Sequence, residues 1–118
     1  MPEGAKPTPH LLVEEQDGVM TLVMNRPEAR NALSPQMLVL LCEAWHAFRD
    51  RDDLRVAILT GAGDTDFCAG GDLKLTMPLM TGARAPEDEW DRRILEQPGV
   101  FTDAILRGFP LYKPVIAA

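Results

Sequence analysis

Two adjacent glycines, Gly70 and Gly71, lie in the segment 67–73, just after an apolar strand-like run and just before a helix start. Glycine lets a ligand approach the backbone closely with the N–H groups uncovered. Donors at the start of a helix, reinforced by the helix dipole, stabilise an oxygen that gains negative charge. Asp72 can cap a helix that begins near Leu73. The segment is therefore a candidate oxyanion-binding loop, although Gly-Gly-Asp before a helix is also an ordinary turn and cap.

The other side chains with catalytic or metal-binding chemistry have ordinary structural explanations. His46 lies on the polar side of a predicted helix without a carboxylate partner at ligand spacing, and His10 begins a strand. Cys68 adjoins the glycines but has no identifiable base, so we expect a small buried residue and not a nucleophile. Asp64 and Asp66 lack the further oxygen ligands that a hard cation needs. No metal site is predicted.

Two apolar runs near the start of the chain, residues 11–13 and 19–24, predict a β-hairpin. Asp17 and Gly18 between them can take the positive φ angles of a tight turn. The second run alternates but is largely apolar on both of its faces, which predicts a strand that is covered on both sides. Such a strand is typical of the interior of a layered α/β domain.

Ser34 followed by Pro35 predicts a helix start, because the serine hydroxyl accepts from an unpaired N–H and proline has no N–H to leave unpaired. The helix is expected to run to about Arg49, with one apolar face formed by Met37, Leu41, Ala44, Trp45 and Phe48. Residues 56–60 form a continuous apolar run, typical of a parallel strand buried on both faces. Strand, helix and strand make a right-handed crossover, which places residues 61–73 at the ligand-binding edge of the sheet.

Residues 74–110 contain several proline and glycine breaks and then a charged stretch. We interpret them as a mobile loop followed by one or two short helices. Apolar stripes in these helices are predicted at Trp90, Ile94 and Leu95, and at Phe101, Ile105 and Phe109.

Composition limits the class of protein. The 118 residues are 46% hydrophobic and 25% charged, as in one ordinary domain that buries a core. A net charge of -6 argues against nucleic acid and membrane surfaces as partners, since both attract a basic face. Two widely separated cysteines and the lack of a long apolar run favour a reduced, cytoplasmic protein. Residues 1–9, which hold three prolines, are predicted to form a disordered N-terminal arm.

Separated segments of the chain, taken together, resemble the N-terminal half of the enoyl-CoA hydratase/isomerase (crotonase) family. The segments that carry this resemblance are Asn25-Arg26-Pro27 and residues 29–33, 56–61, 67–73 and 113–118. The resemblance implies an α/β crotonase-like fold, a spiral of ββα units, of which residues 10–118 form the N-terminal portion. Members of this family bind an acyl-CoA thioester and stabilise its enolate with two backbone N–H groups.

The resemblance assigns roles to individual residues. By resemblance, Gly71 supplies the first N–H donor and is the catalytic residue of this portion. The positions similar to those that contact the acyl-CoA are Ala29, Arg30, Ala69, Gly71, Asp72 and Leu73. Arg26 and Arg30 could meet CoA phosphates or form surface ion pairs. Met77, Leu79 and Met80 could line the acyl pocket or make ordinary packing contacts.

The resemblance also implies an activity, hydration of 2-enoyl-CoA thioesters. Alternatives are an enoyl-CoA isomerase or acyl-CoA hydrolase of the same family, or a non-catalytic acyl-CoA-binding or assembly fragment. The second oxyanion donor and the catalytic acids are expected beyond residue 118, so the 118-residue piece alone is expected to be inactive. Coenzyme A enters as part of the substrate, with no permanently bound cofactor. The expected assembly is a homotrimer or hexamer.

Overall fold

The computed structural model describes residues 8–118, so the arm predicted for residues 1–9 falls almost entirely outside the described residues. The described part is an α/β structure with a short 3-10 turn at Pro27–Ala29. Its strands and helices are β1 (Leu11–Gln16), β2 (Val19–Met24), α1 (Pro35–Asp50), β3 (Val56–Gly61), α2 (Thr76–Thr81), α3 (Glu89–Glu96), α4 (Gly99–Ala104) and β4 (Val115–Ala117). None of the helices in this range has the length and apolarity needed to cross a bilayer.

The strands form one mixed sheet in the order β1-β2-β3-β4. Strands β1 and β2 are the predicted hairpin, and its turn has the positive φ angles expected at Asp17 (53°) and Gly18 (81°). Strands β2 and β3 run parallel and are joined through α1, which confirms the predicted strand-helix-strand crossover. Strand β4 pairs with β3 on its other side and is the third parallel strand of the sheet.

Helix α1 forms the centre of the core. Its start agrees with the prediction, because the Ser34 hydroxyl accepts from the Met37 N–H at 3.1 Å and Pro35 is the first helical residue. Trp45 and Phe48 are fully buried on its apolar face. The indole N–H of Trp45 donates to the Ala104 carbonyl at 2.9 Å. Helices α3 and α4 therefore pack on the same helix that supports the sheet.

The prediction that β2 and β3 are covered on both faces is wrong. Along β2, Met20, Leu22 and Met24 are buried, while the alternate residues stay half-buried. In β3, Ala57 is the fully buried residue and its neighbours are partly exposed. Within residues 8–118 the helical core packs against one face of the sheet, so the apolar side chains of the opposite face remain partly open to solvent.

The segment after residues 67–73, which we call the glycine loop, contains more regular structure than predicted. Helix α2 lies inside the stretch predicted to be a loop, and Gly82, with a φ of 84°, caps its C-terminal end. The buried hydroxyl of Thr76 donates to the Leu33 carbonyl at 2.7 Å, which anchors the first turn of the helix. Helices α3 and α4 follow. Ile94 is buried, as predicted for the apolar side of its helix, whereas Ile105 is exposed.

Candidate active site

The glycine loop is fixed by a short parallel bridge between Leu33 and Gly71. The Leu33 N–H donates to the Gly70 carbonyl at 2.8 Å, and the Asp72 N–H donates to the Leu33 carbonyl at 3.1 Å. In such a parallel bridge one residue, here Leu33, bonds through both its N–H and its carbonyl to the two neighbours of its partner. The partner, here Gly71, uses neither its N–H nor its carbonyl in the bridge. The N–H of Gly71 therefore points away from Leu33. Gly70 has a φ of +92°, which a residue with a side chain adopts at a cost.

Asp72 holds the turn that follows the glycines. One carboxylate oxygen accepts from the N–H groups of Lys74 (2.8 Å) and Leu75 (2.7 Å). The other accepts from Arg26 Nη1 at 2.8 Å. Burial by itself raises the pKa of Asp72, but these hydrogen bonds outweigh burial and hold the pKa below its ordinary value. Asp72 therefore caps a turn over residues 73–75, and helix α2 begins at Thr76, not near Leu73 as predicted.

Arg26 is an internal residue. Its Nη1 donates to the Ala32 carbonyl at 2.8 Å as well as to Asp72, and both partners of the ion pair are buried. Neither of the two interpretations given to Arg26, a contact with CoA phosphates or a surface ion pair, describes this position. Its side chain joins the end of β2 to the glycine loop from inside the protein.

Asn31 is a structural residue of the site that sequence reasoning missed. Its side chain is fully buried and accepts from the Arg26 N–H at 2.9 Å. The same side chain donates to the carbonyls of Ala62 (3.0 Å) and Asp66 (2.9 Å). It therefore ties the loop before α1 to the loop after β3. Asn31 has a left-handed φ of 55°, which asparagine tolerates better than most residues, so its residue type in this loop was the only signal in the sequence.

Four of the residues predicted to contact acyl-CoA lie around this loop with accessible atoms. The Ala69 N–H donates to the Arg30 carbonyl at 3.0 Å, which brings the loop of Ala29 and Arg30 against the glycine loop. The Arg30 side chain is 73% exposed, and its Nε and Nη2 both lie 3.3 Å from Asp66 Oδ1. Leu73 is 82% exposed. Of the two remaining predicted residues, Gly71 has no side chain. The Asp72 carboxylate is turned inward, so a ligand meets this residue through its backbone.

The three apolar residues considered for the acyl pocket lie in different environments. Met77 is close to Gly71: its sulfur lies 3.1 Å from the position that a Cβ on Gly71 would occupy. Met80 is exposed, whereas Leu79 is buried in the core. Packing contacts therefore account for Leu79, and Met77 is the side chain that borders the glycine loop.

His46 has a carboxylate partner after all, so that part of the prediction is wrong. Its Nε2 lies 2.9 Å from Asp103 Oδ2, and its Nδ1 lies 3.3 Å from Arg49 Nη2. The partner was invisible in the sequence because 57 residues separate the two side chains. Cys42 completes a group whose potential ligand atoms lie within 4.8 Å of one another. Both ring nitrogens of His46 already have hydrogen-bond partners. The contact between His46 and Asp103 therefore connects α1 to α4, and no metal is needed to account for these side chains.

His10 and Cys68 also make local contacts. His10 Nδ1 lies 2.6 Å from the Ser34 hydroxyl, and burial lowers the pKa of the imidazole. The Cys68 sulfur accepts weakly from the Gly70 N–H at 3.4 Å. Both residues thus support the loops on either side of the site.

Known proteins are similar to this chain in sequence and in fold. Residues 14–96 match the enoyl-CoA hydratase/isomerase family. The chain is 39% identical over 110 residues to enoyl-CoA hydratase EchA19 of Mycobacterium tuberculosis, covering 93% of this chain and 38% of that protein. It is 44% identical over 106 residues to (E)-benzylidenesuccinyl-CoA hydratase of Thauera aromatica, covering 90% of this chain and 37% of the relative. The chain therefore spans less than two fifths of the length of either relative.

A solved structure extends the likeness to three dimensions. The structure of EchA1_1 from Mycobacterium paratuberculosis superposes on 94% of this chain and 39% of its own, with a TM-score of 0.71 and 32% identity. The mixed sheet and the connection through α1 thus correspond to the N-terminal portion of the crotonase fold, as predicted. With its glycine loop, its sequence and its backbone in agreement, the chain belongs to the enoyl-CoA hydratase/isomerase family.

Proposed function

We propose that the protein hydrates 2-enoyl-CoA thioesters and that the Gly71 N–H is one donor of its oxyanion hole. The observation that carries the proposal is the Leu33–Gly71 bridge, which leaves the Gly71 N–H directed away from Leu33. Two relatives of the chain are named as hydratases that act on CoA compounds, which supports the choice of reaction.

The chemistry needs a fixed donor more than it needs a nucleophilic side chain. When water adds to the double bond, the thioester oxygen gains negative charge and becomes an enolate oxygen. A preorganised N–H stabilises that charge, and one such donor typically contributes about 10²–10³ in turnover. Gly71 is suited to this role because its neighbours Gly70 and Asp72 are held by Leu33, so little reorganisation accompanies the reaction.

The proton transfers require groups other than Asp72. Its carboxylate already accepts from Arg26, Lys74 and Leu75, and its pKa is held low, so it is poorly placed to take up and return a proton. We propose that the remainder of the enzyme supplies the acid and the base, together with the second oxyanion donor. On its own, the 118-residue chain is then expected to be inactive.

The proposed surface for the CoA portion runs over Ala29, Arg30, Ala69 and Leu73. Arg30 offers an exposed guanidinium, which suits a phosphate, and Leu73 offers an exposed apolar side chain beside the glycines. Coenzyme A arrives as part of the substrate, and neither a resident cofactor nor a metal belongs to the proposal.

Assembly and location complete the proposal. We propose a homotrimer or hexamer in the cytoplasm. Two free cysteines are compatible with a reducing compartment. The partly open apolar face of the sheet is compatible with burial in a larger protein or assembly. Sedimentation velocity on the complete enzyme measures the assembly directly.

The test combines a turnover assay with a binding titration. The complete enzyme is expected to convert a short 2-enoyl-CoA to the 3-hydroxyacyl-CoA, followed by loss of the enoyl-thioester absorbance. Release of free CoA would identify a hydrolase instead, and a shifted double bond would identify an isomerase. Binding of acyl-CoA without any turnover by the complete protein would favour the non-catalytic alternative.

A further inference from the structure

Arg84 binds the backbone of the turn that follows the glycine loop. Its Nε and Nη2 donate to the Leu75 carbonyl at 3.1 and 2.7 Å. The same guanidinium forms a two-point contact with the Asp91 carboxylate at 2.7 and 3.0 Å. The two side chains are 16% and 4% exposed. A largely buried, bidentate contact of this kind is among the stronger side-chain interactions and fixes the orientation of both groups.

The turn is therefore held from both sides. Asp72 accepts from the Leu75 N–H at 2.7 Å, and Arg84 donates to the carbonyl of the same residue. Asp91 is itself fixed on α3, because it also accepts from the Glu87 N–H at 3.0 Å. A continuous path of hydrogen bonds thus runs from α3 through Arg84 and Leu75 to Asp72, the residue next to Gly71.

We propose that Arg84 is a positioning residue for the Gly71 donor. The inference rests on the proposed function, since it assigns Arg84 the task of holding the oxyanion loop in its working geometry. Arg84 lies outside the segments that carry the family resemblance. Loss of its guanidinium removes the two side-chain hydrogen bonds to the Leu75 carbonyl. The turn then keeps its contacts with Asp72 and Leu33 but loses its link to α3, so the loop opens more often. Catalytic donors lose most of their effect when they are not held in place.

The experiment separates positioning from general stability. Arg84→Met leaves Asp91 buried without its partner and lowers stability for that reason alone. In the double variant Arg84→Met/Asp91→Leu no buried unpaired charge remains, yet the Leu75 carbonyl still lacks the two hydrogen bonds from the Arg84 side chain. Arg93→Met is the matched control, because it removes a 2.7 Å ion pair between α3 and α1 without touching the loop.

The readout is amide hydrogen exchange by NMR, recorded without ligand. In the double variant the Asp72 and Leu75 amides are expected to exchange at least about tenfold faster than in the unaltered chain, and the Gly71 amide resonance is expected to broaden. The Arg93→Met control is expected to keep the exchange rates of the unaltered chain at both amides. Unchanged exchange at Asp72 and Leu75 in the double variant would overturn the role of Arg84.

A second measurement keeps this inference distinct from the proposed function. In the complete enzyme, the double variant is expected to lower kcat for hydration by about tenfold or more while KM changes less, because the donor acts mainly on the transition state. An unaltered enzyme that neither binds nor hydrates enoyl-CoA would contradict the proposed function. A double variant with faster loop exchange but full kcat would contradict the positioning role alone.

Discussion

Arg26 Nη1 lies 2.8 Å from Asp72 Oδ2, with both side chains about nine-tenths buried, at 10% and 9% exposed. Forty-six residues separate the two along the chain. The pair connects the end of β2 to the turn beside Gly71, so the scaffold and the proposed oxyanion loop share one internal contact. An ion pair removed from water in this way is costly to break on one side only.

Removal of the Arg26 charge is expected to destabilise the fold strongly. Arg26→Met leaves the Asp72 carboxylate buried without its cation, and we expect the free energy of unfolding to fall by about 3–5 kcal/mol in a urea titration. Arg51→Met is the control, because Arg51 pairs with Glu15 and Asp53 at the surface. That variant is expected to lose about 1 kcal/mol or less. Equal losses in the two variants would contradict the structural role of the buried pair.

Stability is expected to decrease in acid. The hydrogen bond from Arg84 lowers the pKa of Asp91 against the opposing effect of burial, and the pKa of Asp72 is lowered as well. A carboxylate with a lowered folded-state pKa contributes stability above its unfolded pKa of about 3.9, and this contribution is lost as the pH falls through the folded-state value. Urea midpoints measured between neutral pH and about pH 2 should therefore decline below about pH 4.

The Asp72→Asn variant tests whether Asp72 contributes to this acid dependence. It is expected to be less stable at neutral pH and to show a shallower decline in acid than the unaltered chain. A decline of unchanged steepness would show that other carboxylates account for the effect.

Gly61 is expected to be intolerant of any side chain. A Cβ at this position would collide with the Phe67 carbonyl oxygen and lie 2.7 Å from both the Asn31 amide nitrogen and the Asp66 carbonyl oxygen. We expect Gly61→Ala to cost about 1–3 kcal/mol in thermal or urea unfolding, since backbone atoms must move. Gly99→Ala is the control, because nothing lies within 4 Å of its Cβ position at the start of α4. Similar effects at the two positions would contradict the packing described for the loop.

Gly71→Pro in the complete enzyme tests the donor itself. Proline removes the N–H, and the hydrogen bonds of the Leu33 bridge do not use that N–H. Turnover is expected to fall by about 10²–10³ while acyl-CoA binding is partly retained.

Gly71→Ala is the matched variant for this donor test. It keeps the N–H and places its methyl group 3.1 Å from the flexible end of Met77. It is expected to lose much less activity than the proline variant in the same assay. Unchanged turnover in Gly71→Pro would contradict the assignment of Gly71 as a donor.

The features predicted correctly from the sequence are those with local causes. The hairpin depends on the turn at Asp17 and Gly18, and α1 depends on the Ser34 cap and Pro35. Burial of the strands was predicted less well, because an apolar strand does not reveal which of its faces will be covered by a packed layer. Short helix α2 was missed because its anchor, the Thr76 contact with Leu33, spans 43 residues.

In the candidate site too, some residues could be recognised from the sequence and others only from the structure. Gly70 and Gly71 were recognisable from their type and position, and the fold places them beside the loop of Ala29 and Arg30. The inward direction of Arg26 was not recognisable, since an arginine in a polar loop is usually solvated. Its partner becomes apparent only when the end of β2 and the glycine loop are adjacent in space.

The Leu33–Gly71 bridge also has a consequence for the order of folding. Contacts between distant parts of a chain form only after the intervening chain has closed into a loop. Here that intervening chain contains α1 and β3, so a loop that includes both elements must close before Gly71 is held. We therefore expect the donor to appear late during folding and to be lost in partial openings that leave the core intact. Acyl-CoA binding would then report on damage that a melting curve of the core does not detect.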